Sequence, residues 1–317
     1  MPAYLKSFNE GSLLKTAESA FKMLGSCRIC PRKCGVNRLK NEKGYCKTGL
    51  LAKVCSFMPH HGEEPPISGR RGSGTIFFSH CNMRCVYCQN YEFSQLGEGR
   101  EVAFEELAAF MIKLQEEGCH NINLVTPTHV MPQILKALCI AVKDGLRLPL
   151  VYNTGGYELT GSIRLLEGIV DIYLPDMRYA DSASSIKYSD AEDYPKYNRE
   201  AVKEMHRQVG IAQMDKEGII SKGMIIRHLV LPGNISGTEK IMKFISKDIS
   251  RDSYISLMSQ YFPVFKAKDM VEVSRRLTAG EYEAAIESMH KHGLHNGWTQ
   301  DSGGLERFAG TNIKQST

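Results

Sequence analysis

The feature that most constrains this chain is the placement of its cysteines. All ten come before residue 140, and eight of them fall between Cys27 and Cys88. A disulfide framework is typical of short secreted chains, whereas this sequence has 317 residues and opens without the unbroken apolar stretch of a signal peptide. Closely spaced cysteines in such a chain indicate metal sites, and we expect the protein to work in the reducing cytoplasm.

The composition is that of a globular protein. Hydrophobic residues make up 42% of the chain and charged residues 24%, which excludes a disordered or collagen-like protein. No apolar run approaches the roughly 18 residues of a membrane span, so we expect no membrane partner. The formal net charge of +5 is spread over the whole chain and favours an acidic partner only weakly.

From residue 75 onward, strand-like and helix-like segments alternate. Six short apolar runs, each followed by a segment of helical periodicity, are predicted strands at 75–79, 121–125, 149–153, 169–174, 224–231 and 254–258. Their continuous hydrophobicity is typical of a parallel sheet that is covered on both faces, and right-handed crossovers bring the carboxyl ends of the strands to one edge. We therefore predict an α/β fold with a partial (β/α)6 barrel at 71–295.

The ends of the chain are predicted to differ from the barrel. Residues 12–24 have helical periodicity, and residues 25–70 are predicted to be loops rich in cysteine, glycine and basic residues. Residues 1–70 thus form a small metal-binding segment, and the polar residues 296–317 form a tail.

The most specific motif follows the first predicted strand. Cys81, Cys85 and Cys88 are separated by three and by two residues. Three thiolates on one short loop suit three irons of a [4Fe–4S] cluster, although a zinc site is an alternative. The missing fourth ligand leaves one iron free to bind an outside molecule, at the sheet edge where catalytic residues of such folds collect.

This spacing, CxxxCxxC with Tyr87 before the last cysteine, resembles the radical S-adenosylmethionine (SAM) superfamily. The surrounding HCNMRCVYCQN is similar to the activating enzymes of pyruvate formate-lyase. Further segments resemble a pyruvate formate-lyase activating enzyme-like branch with an added N-terminal cysteine motif: GEEPPISGRRGSGTIFFSHCNMRCVYCQNY, NINLVTPTH, VYNTGGYE, VDIYLPDMRY, IIRHLVLPG and SLMSQY. The resemblance covers about residues 25–295.

The resemblance implies a reaction. Cys81, Cys85 and Cys88 would hold the cluster, and the amino and carboxylate groups of SAM would chelate the fourth iron. One electron, from a flavodoxin or ferredoxin, would cleave SAM reductively to methionine and a 5′-deoxyadenosyl radical. That radical would abstract hydrogen from the substrate, which in the activating enzymes is a glycine of a glycyl-radical enzyme.

The resemblance also implies SAM contacts at the strand ends. Tyr87 is expected near the adenine, Asp176 at the ribose hydroxyls and Arg227 at the SAM carboxylate, with Asn153 close by. The family's Gly-Gly-Glu motif is replaced here by a TPTH sequence that begins at Thr126, whose backbone carbonyls can still accept hydrogen bonds from the SAM ammonium group. For Tyr87 the alternative is a core tyrosine, and for Asn153, Asp176 and Arg227 it is an ion pair or a solvated surface position.

Several other polar residues lie near the predicted sheet edge. His60, His61, Glu63 and Glu64 precede the first predicted strand and could ligate a metal, but solvation in a loop is the interpretation that the sequence favours. His129 is interpreted as a buried histidine with satisfied hydrogen bonds, with SAM or substrate contact as the alternative.

A second cysteine set precedes the barrel. Cys27, Cys30, Cys34 and Cys46 provide four thiolates within 20 residues, enough for a closed zinc site or a second iron–sulfur cluster. The sequence does not decide between the two metals. Because this segment has little apolar content, its folding is expected to depend on the metal.

Two alternatives to a glycyl-radical activating enzyme stay open. One is a radical SAM enzyme that modifies another protein, a peptide or a small molecule. The other is a zinc-knuckle nucleic-acid-binding protein, whose phosphate contacts would come from the basic residues around the first cysteine set: Arg28, Arg32, Lys33, Arg38, Lys40, Lys43 and Lys47. The second alternative leaves Cys81, Cys85 and Cys88 unexplained, so nucleic acid is an unlikely partner.

Overall fold

The computed structural model describes residues 1–299. The predicted tail at 296–317 therefore lies mostly outside the described residues. Its first four residues, Asn296–Thr299, form a strand that pairs in parallel with Tyr254–Met258.

The strands of this part of the chain form one sheet. They are β1 (Ala52–His60), β2 (Ser73–Phe78), β3 (Arg100–Val102), β4 (Ile122–Val125), β5 (Leu150–Thr154), β6 (Ile172–Pro175), β7 (Gln213–Met214), β8 (Ile220–Leu229), β9 (Tyr254–Met258) and β10 (Asn296–Thr299). Their order is β10-β9-β8-β6-β5-β4-β2-β1-β3, with β7 paired to β8. The run from β2 to β10 along this path is parallel, whereas β1 and β3 extend the β2 edge antiparallel.

Ten α-helices are present in residues 1–299, and the last seven of them connect the parallel strands. They are α1 (Ala3–Asn9), α2 (Ser12–Lys22), α3 (Pro65–Ser68), α4 (Phe104–Glu116), α5 (Met131–Lys143), α6 (Thr160–Arg164), α7 (Ser182–Ser189), α8 (Tyr194–Val209), α9 (Thr238–Phe244) and α10 (Ala279–Lys291). Apolar residues of α4, α5, α8 and α10 pack on one face of the sheet, which we call the helix face. Among residues 1–299, none of the helices combines the length and the hydrophobicity needed to cross a bilayer.

The predicted α/β architecture is confirmed. All six predicted parallel strands are present, as β2, β4, β5, β6, β8 and β9, and each is followed by helical structure. The sheet is open, since β10 and β3 at its ends are not neighbours in the strand order. This is the geometry expected of a partial barrel with six repeats.

The prediction of loops throughout 25–70 is wrong at Pro65–Ser68, which form the short helix α3, and over the longer segment Ala52–His60. These residues form β1, which pairs with β2 from Val54↔Phe78 to His60↔Ser73. Its sequence includes Pro59 and the polar residues Lys53, Ser56 and His60, so it lacks the apolar run that marks the parallel strands. An antiparallel strand near the sheet edge needs less burial, and its residues between Val54 and His60 are mostly only partly buried.

Strand residues alternate between the helix face and the opposite face, which we call the inner face. Val151, Ile172, Leu174 and Ile225 form an apolar cluster there, and Ile67 of α3 packs against them. The chain between β1 and β2 therefore covers part of the inner face. Asn123, Asn153 and Arg227 alternate with residues of the helix face and so belong to the same inner surface.

Candidate functional site

The three-cysteine loop directly follows β2, at the carboxyl edge of the parallel sheet. Cys85 is buried and Cys81 and Cys88 are partly buried. The loop packs into a separate apolar cluster that is mostly aromatic, made of Met83, Tyr87, Tyr157, Tyr179, Tyr188, Tyr194, Leu231 and Tyr261 with smaller residues. Backbone bonds from Arg84 N to Ser189 O and from Val86 N to Tyr188 O, both 2.9 Å, fix its path against the end of α7.

Each sulfur of this loop has a polar neighbour. Cys85 Sγ accepts hydrogen bonds from Arg178 Nη1 at 3.1 Å and from Ser189 Oγ at 3.0 Å. The Met83 backbone N–H donates to Cys81 Sγ at 3.4 Å, and Cys88 Sγ lies 3.1 Å from Ser94 Oγ. These donors favour electron-rich sulfur, as second-sphere groups do around metal-bound thiolates.

Burial opposes ionisation of the same thiols. Desolvation raises the pKa of Cys81 to about 12, with the neighbouring Cys85 adding to the shift, and it raises the pKa of Cys88 as well. Thiolates in such a setting need a positively charged centre to remain ionised. The donor set therefore fits an iron–sulfur cluster, which when bound would supply the electron for reductive cleavage of SAM at its open iron. Within residues 1–299, no group of three or more His, Cys, Asp or Glu side chains is arranged to hold a single metal ion as it stands.

Three predicted SAM contacts come together in one network on the inner face. Arg227 Nε donates to Asp176 Oδ1 at 2.8 Å, and Arg227 Nη2 donates to Asn153 Oδ1 at 2.6 Å. Arg178 donates to the other oxygen of Asp176, at 3.0 Å from Nε and 2.5 Å from Nη2. Burial by itself raises the pKa of Asp176, but Arg227 and Arg178 hold it below its usual range, so this carboxylate is ionised.

Arg178 joins that network to the cluster loop. The same guanidinium that pairs with Asp176 donates to Cys85 Sγ. The structure adds a contact with a predicted cluster ligand, which makes Arg178 a link between the two halves of the site.

The positions of Tyr87 and Thr126 support their predicted SAM contacts less clearly. Tyr87 is 3% exposed, its hydroxyl lies 2.6 Å from that of Tyr179, and its ring meets Tyr261 edge-on. These contacts are those of a core tyrosine, the alternative to an adenine contact. Thr126 has a left-handed backbone conformation with φ of 61°, and its N–H donates to Asn153 O at 2.9 Å, so the TPTH turn adjoins the Arg227 network.

The histidine at the end of that turn is buried. His129 is 1% exposed, its Nε2 bonds to the Ser79 carbonyl at 2.9 Å, and burial lowers its pKa to about 3. The burial agrees with the interpretation of His129, but its Nδ1 is buried without a hydrogen-bond partner, so its hydrogen bonds are not all satisfied.

One buried acid was missed by the sequence reasoning. Glu158 is 1% exposed and accepts hydrogen bonds from Thr128 and Thr154, each at 2.5 Å. Burial raises its pKa to about 7. The signal that could have found it is its position directly after the Gly155-Gly156-Tyr157 turn that ends β5.

The interpretation of Glu63 and Glu64 as loop residues exposed to water is wrong. The Glu63 side chain is 5% exposed and Glu64 is 8% exposed, and Glu63 lies 3.5 Å from Arg227 Nη1. His60 is also buried, whereas His61 is exposed. The pairing of β1 with β2 turns this part of the chain over the inner face, which the sequence did not reveal.

The N-terminal cysteines lie in a segment with little regular structure. Cys27, Cys30 and Cys46 are buried and Cys34 is exposed. Cys27 N donates to Val36 O and Gly35 N to Cys27 O, each at 2.9 Å, so the chain folds back beside Cys34. Burial, with the nearby Cys46 and Cys27, raises the pKa of Cys30 above its usual range. A metal bound by this cysteine would therefore have to displace the proton of its thiol.

Two of the basic residues in this segment are committed to protein contacts. Arg38 is 1% exposed and donates to Gly49 O and His129 O, and Arg32 Nε donates to Asn82 O at 2.9 Å. These two residues are therefore not available to contact phosphates.

Comparison with known proteins identifies the family. The model of the radical SAM superfamily matches residues 75–245, which include β2, the three-cysteine loop and the Arg227 network. The chain belongs to the radical SAM superfamily. The pyruvate formate-lyase activating enzyme-like branch is a finer assignment that this match does not make.

Two relatives come from Methanocaldococcus jannaschii. The uncharacterized protein MJ0674 is 33% identical over 291 residues, covering 89% of this chain and 78% of its own. The uncharacterized protein MJ0808 is 23% identical over 282 residues, covering 80% of this chain and 78% of its own.

Solved radical SAM enzymes resemble the chain more distantly. A methyltransferase from Sphaerobacter thermophilus shares 14% identity and a TM-score of 0.48, covering 73% of this chain and 67% of its own. Methylornithine synthase shares 15% identity and a TM-score of 0.44, covering 69% of this chain and 62% of its own. Likenesses at this level carry no information about the substrate.

Proposed function

We propose that this radical SAM protein is an enzyme that reductively cleaves SAM and abstracts a hydrogen atom from its substrate. The observation that carries the proposal is the loop with Cys81, Cys85 and Cys88 at the carboxyl end of β2, where each sulfur has a polar neighbour. In this proposal Cys81, Cys85 and Cys88 hold a [4Fe–4S] cluster and leave one iron open.

The protein's own residues would bind and orient SAM. Asn153, Asp176 and Arg227 form one hydrogen-bonded network at the ends of three adjacent strands. Arg227 uses only some of its five N–H groups on protein partners, so it retains donors for the SAM carboxylate. The aromatic cluster under the cysteine loop excludes water from the reacting region.

For the substrate, we propose two candidates. The HCNMRCVYCQN resemblance supports a glycyl-radical enzyme as the target. The second candidate is a different protein, peptide or small molecule, and it is supported by the N-terminal segment that packs against the cysteine loop through Arg32. We further propose that a flavodoxin or ferredoxin in the cytoplasm supplies the electron.

The main proposal is tested by anaerobic reconstitution with iron and sulfide, followed by reduction in the presence of SAM. We expect a brown protein that releases 5′-deoxyadenosine, and no release from Cys85→Ala. Cys119→Ala is the matched control, because Cys119 is buried on the helix face away from the cysteine loop. A colourless protein that holds only zinc, or continued release by Cys85→Ala, would refute the proposal.

The two substrate candidates are separated by adding a glycyl-radical enzyme to the reduced protein and SAM. A glycyl radical detected by electron paramagnetic resonance supports the first candidate. Release of 5′-deoxyadenosine without that signal supports the second.

A further inference from the structure

Two consecutive carboxyl groups lie on the inner face of the sheet and are not among the predicted SAM contacts. Glu63 and Glu64 precede α3, and their side chains are 5% and 8% exposed. Ile67, in the same segment, packs on the inner face against Val151 and Ile225. The segment from Glu63 to Ile67 thus forms a floor on the inner face, beneath the strand ends.

The floor adjoins the predicted SAM contacts. Glu63 lies 3.4 Å from Asn153 Nδ2 and 3.5 Å from Arg227 Nη1. These contacts are long for charge-assisted hydrogen bonds, which are usually about 2.7–2.9 Å. Arg227 makes its short bonds to Asp176 and Asn153 instead, so Glu63 is only weakly neutralised by it.

Polar atoms around these carboxylates lack partners. Glu64 Oε2 and both the nitrogen and the oxygen of the Asn123 side chain are inaccessible to water and make no hydrogen bond of normal geometry. Asn123 is 0% exposed and close enough to Glu63 to affect it: burial raises the pKa of Glu63, and Arg227 and Asn123 oppose that shift. Buried polar groups without partners are rare in folded proteins, so the unpartnered oxygen of Glu64 and the Asn123 side chain next to Glu63 indicate a missing ligand along this segment.

The charged groups around Glu63 and Glu64 indicate the chemical class of the missing ligand. Three carboxyls, of Glu63, Glu64 and Asp176, face two guanidinium groups, of Arg227 and Arg178. Arg178 also donates to Cys85 Sγ, so part of its charge serves the cysteine loop. Burial raises the pKa of Glu63 and of Glu64, so both carboxyls stay ionised only beside a further cation, and the unpartnered oxygens of Glu64 and Asn123 can accept hydrogen bonds from N–H donors.

We propose that Glu63, Glu64 and Asn123 bind a cationic nitrogen group of the substrate, a primary ammonium or a guanidinium. The inference rests on the proposed radical SAM function and deepens it. It places the substrate's charged end on the floor of the barrel and its reacting carbon toward the SAM network. Such a group belongs to an amine, a guanidine compound or a basic side chain of a peptide.

The test is a binding experiment that does not require turnover. Methylguanidinium and n-butylammonium are titrated into the reconstituted protein at constant ionic strength, with n-butanol and butyrate as neutral and anionic probes, and thermal unfolding is followed. We expect the midpoint temperature to rise with the two cations only. In Glu64→Gln the apparent dissociation constant should rise about tenfold, the effect of losing one hydrogen bond between charged groups.

Unfolding without a probe gives a second readout. Because the Glu64 carboxyl is buried without a full set of partners, Glu64→Gln should unfold at no lower temperature than the wild-type protein. A purely structural carboxylate would instead give a lower midpoint. Glu116→Gln is the matched control, because Glu116 is exposed on α4, and it should keep both the stability and the response to cations.

Three results would overturn the inference: equal binding of butanol or butyrate, an unchanged cation response in Glu64→Gln, or stabilisation by Mg²⁺ alone through the same residue. The proposed function is measured separately, by release of 5′-deoxyadenosine. Release without cation binding refutes the floor site only, and cation binding without release refutes the radical SAM reaction.

Discussion

The two cysteine sets differ in what holds them in place. The loop with Cys81, Cys85 and Cys88 follows a central strand and is embedded in an aromatic cluster. The segment with Cys27, Cys30, Cys34 and Cys46 has only one 3₁₀ turn, Arg38–Lys40, and its apolar cluster consists of Leu24, Cys27 and Ile29 with three partly buried neighbours. We therefore expect packing to prepare the first set for its proposed cluster, and the folding of the second set to depend on a bound metal.

The two sets also touch. Arg32, which lies between Cys30 and Cys34, donates to Asn82 O, and Arg84 donates to Tyr45 O at 2.6 Å. The Tyr45 ring lies between these two guanidinium groups, 3.6 Å from Arg32 Cζ and 4.4 Å from Arg84 Cζ. Contacts this direct mean that changes in one cysteine set are measurable at the other.

The largest effect should come from breaking the N-terminal set. Structural zinc contributes about 10–16 kcal/mol to the folding of small metal-binding peptides, so Cys30→Ser should lose metal and order in this segment. We expect faster trypsin cleavage between residues 27 and 47, while the barrel stays resistant. The measurement is metal content per chain together with the rate and position of cleavage.

The control for that experiment is Cys55→Ser, because Cys55 lies on β1 outside the four-cysteine motif. If Cys30→Ser kept its metal and its resistance to trypsin, the dependence of this segment on metal would be disproved. If Cys55→Ser lost metal as well, Cys55 would have to be counted among the ligands.

A smaller loss is expected from Arg38→Met. Arg38 joins the segment to the barrel through hydrogen bonds to Gly49 O at 3.0 Å and to His129 O at 2.8 Å. A hydrogen bond to a charged group contributes about 1.5–3 kcal/mol, so the free energy of unfolding should fall by an amount in that range or somewhat above. Urea unfolding measures it, with Lys40→Met, an exposed neighbour, as the control.

Much of the fold could be predicted from the sequence because the parallel strands are continuous apolar runs. β4 and β5 were predicted on that basis, and they pair in parallel from Ile122↔Leu150 to Val125↔Asn153. β1 could not be predicted in this way, since its partly exposed residues carry no such run. The position of Glu64 depends on β1, and therefore its burial was missed with it.

The candidate site also has one part that the sequence predicts and another part that only the fold reveals. Cys81, Cys85 and Cys88 are close in sequence, so their spacing alone indicates a shared role. The contact of Arg178 with Cys85 joins residues 93 positions apart and follows from the strand order, which spacing does not encode. Local motifs could be recognised from the sequence, whereas contacts that depend on tertiary structure required the fold.

Ser189→Ala tests the better-packed cysteine loop. Ser189 Oγ donates to Cys85 Sγ at 3.0 Å and also lies 2.6 Å from the Tyr179 hydroxyl. Because packing already holds this loop, the loss should be limited to about 1–3 kcal/mol, the usual value of two hydrogen bonds. Urea unfolding of the metal-free protein measures it, with the exposed Ser19→Ala on α2 as control. Loss of all ordered structure in Ser189→Ala would show that packing does not prepare the loop.

The smallest effect is expected at the contact between the two sets. In Tyr45→Phe the ring remains between Arg32 and Arg84, and only the 2.5 Å bond from the hydroxyl to Asp190 is lost. That partner is on the surface, so the free energy of unfolding should fall by no more than about 1 kcal/mol.

Tyr45→Leu also removes two cation–π contacts, each worth about 0.5–1 kcal/mol at exposed sites, and should therefore lower the free energy of unfolding further. Since the ring touches both arginines, Tyr45→Leu should also speed trypsin cleavage of the N-terminal segment, whereas Tyr45→Phe should not. Equal cleavage rates in the two variants would mean that the ring does not connect the two cysteine sets.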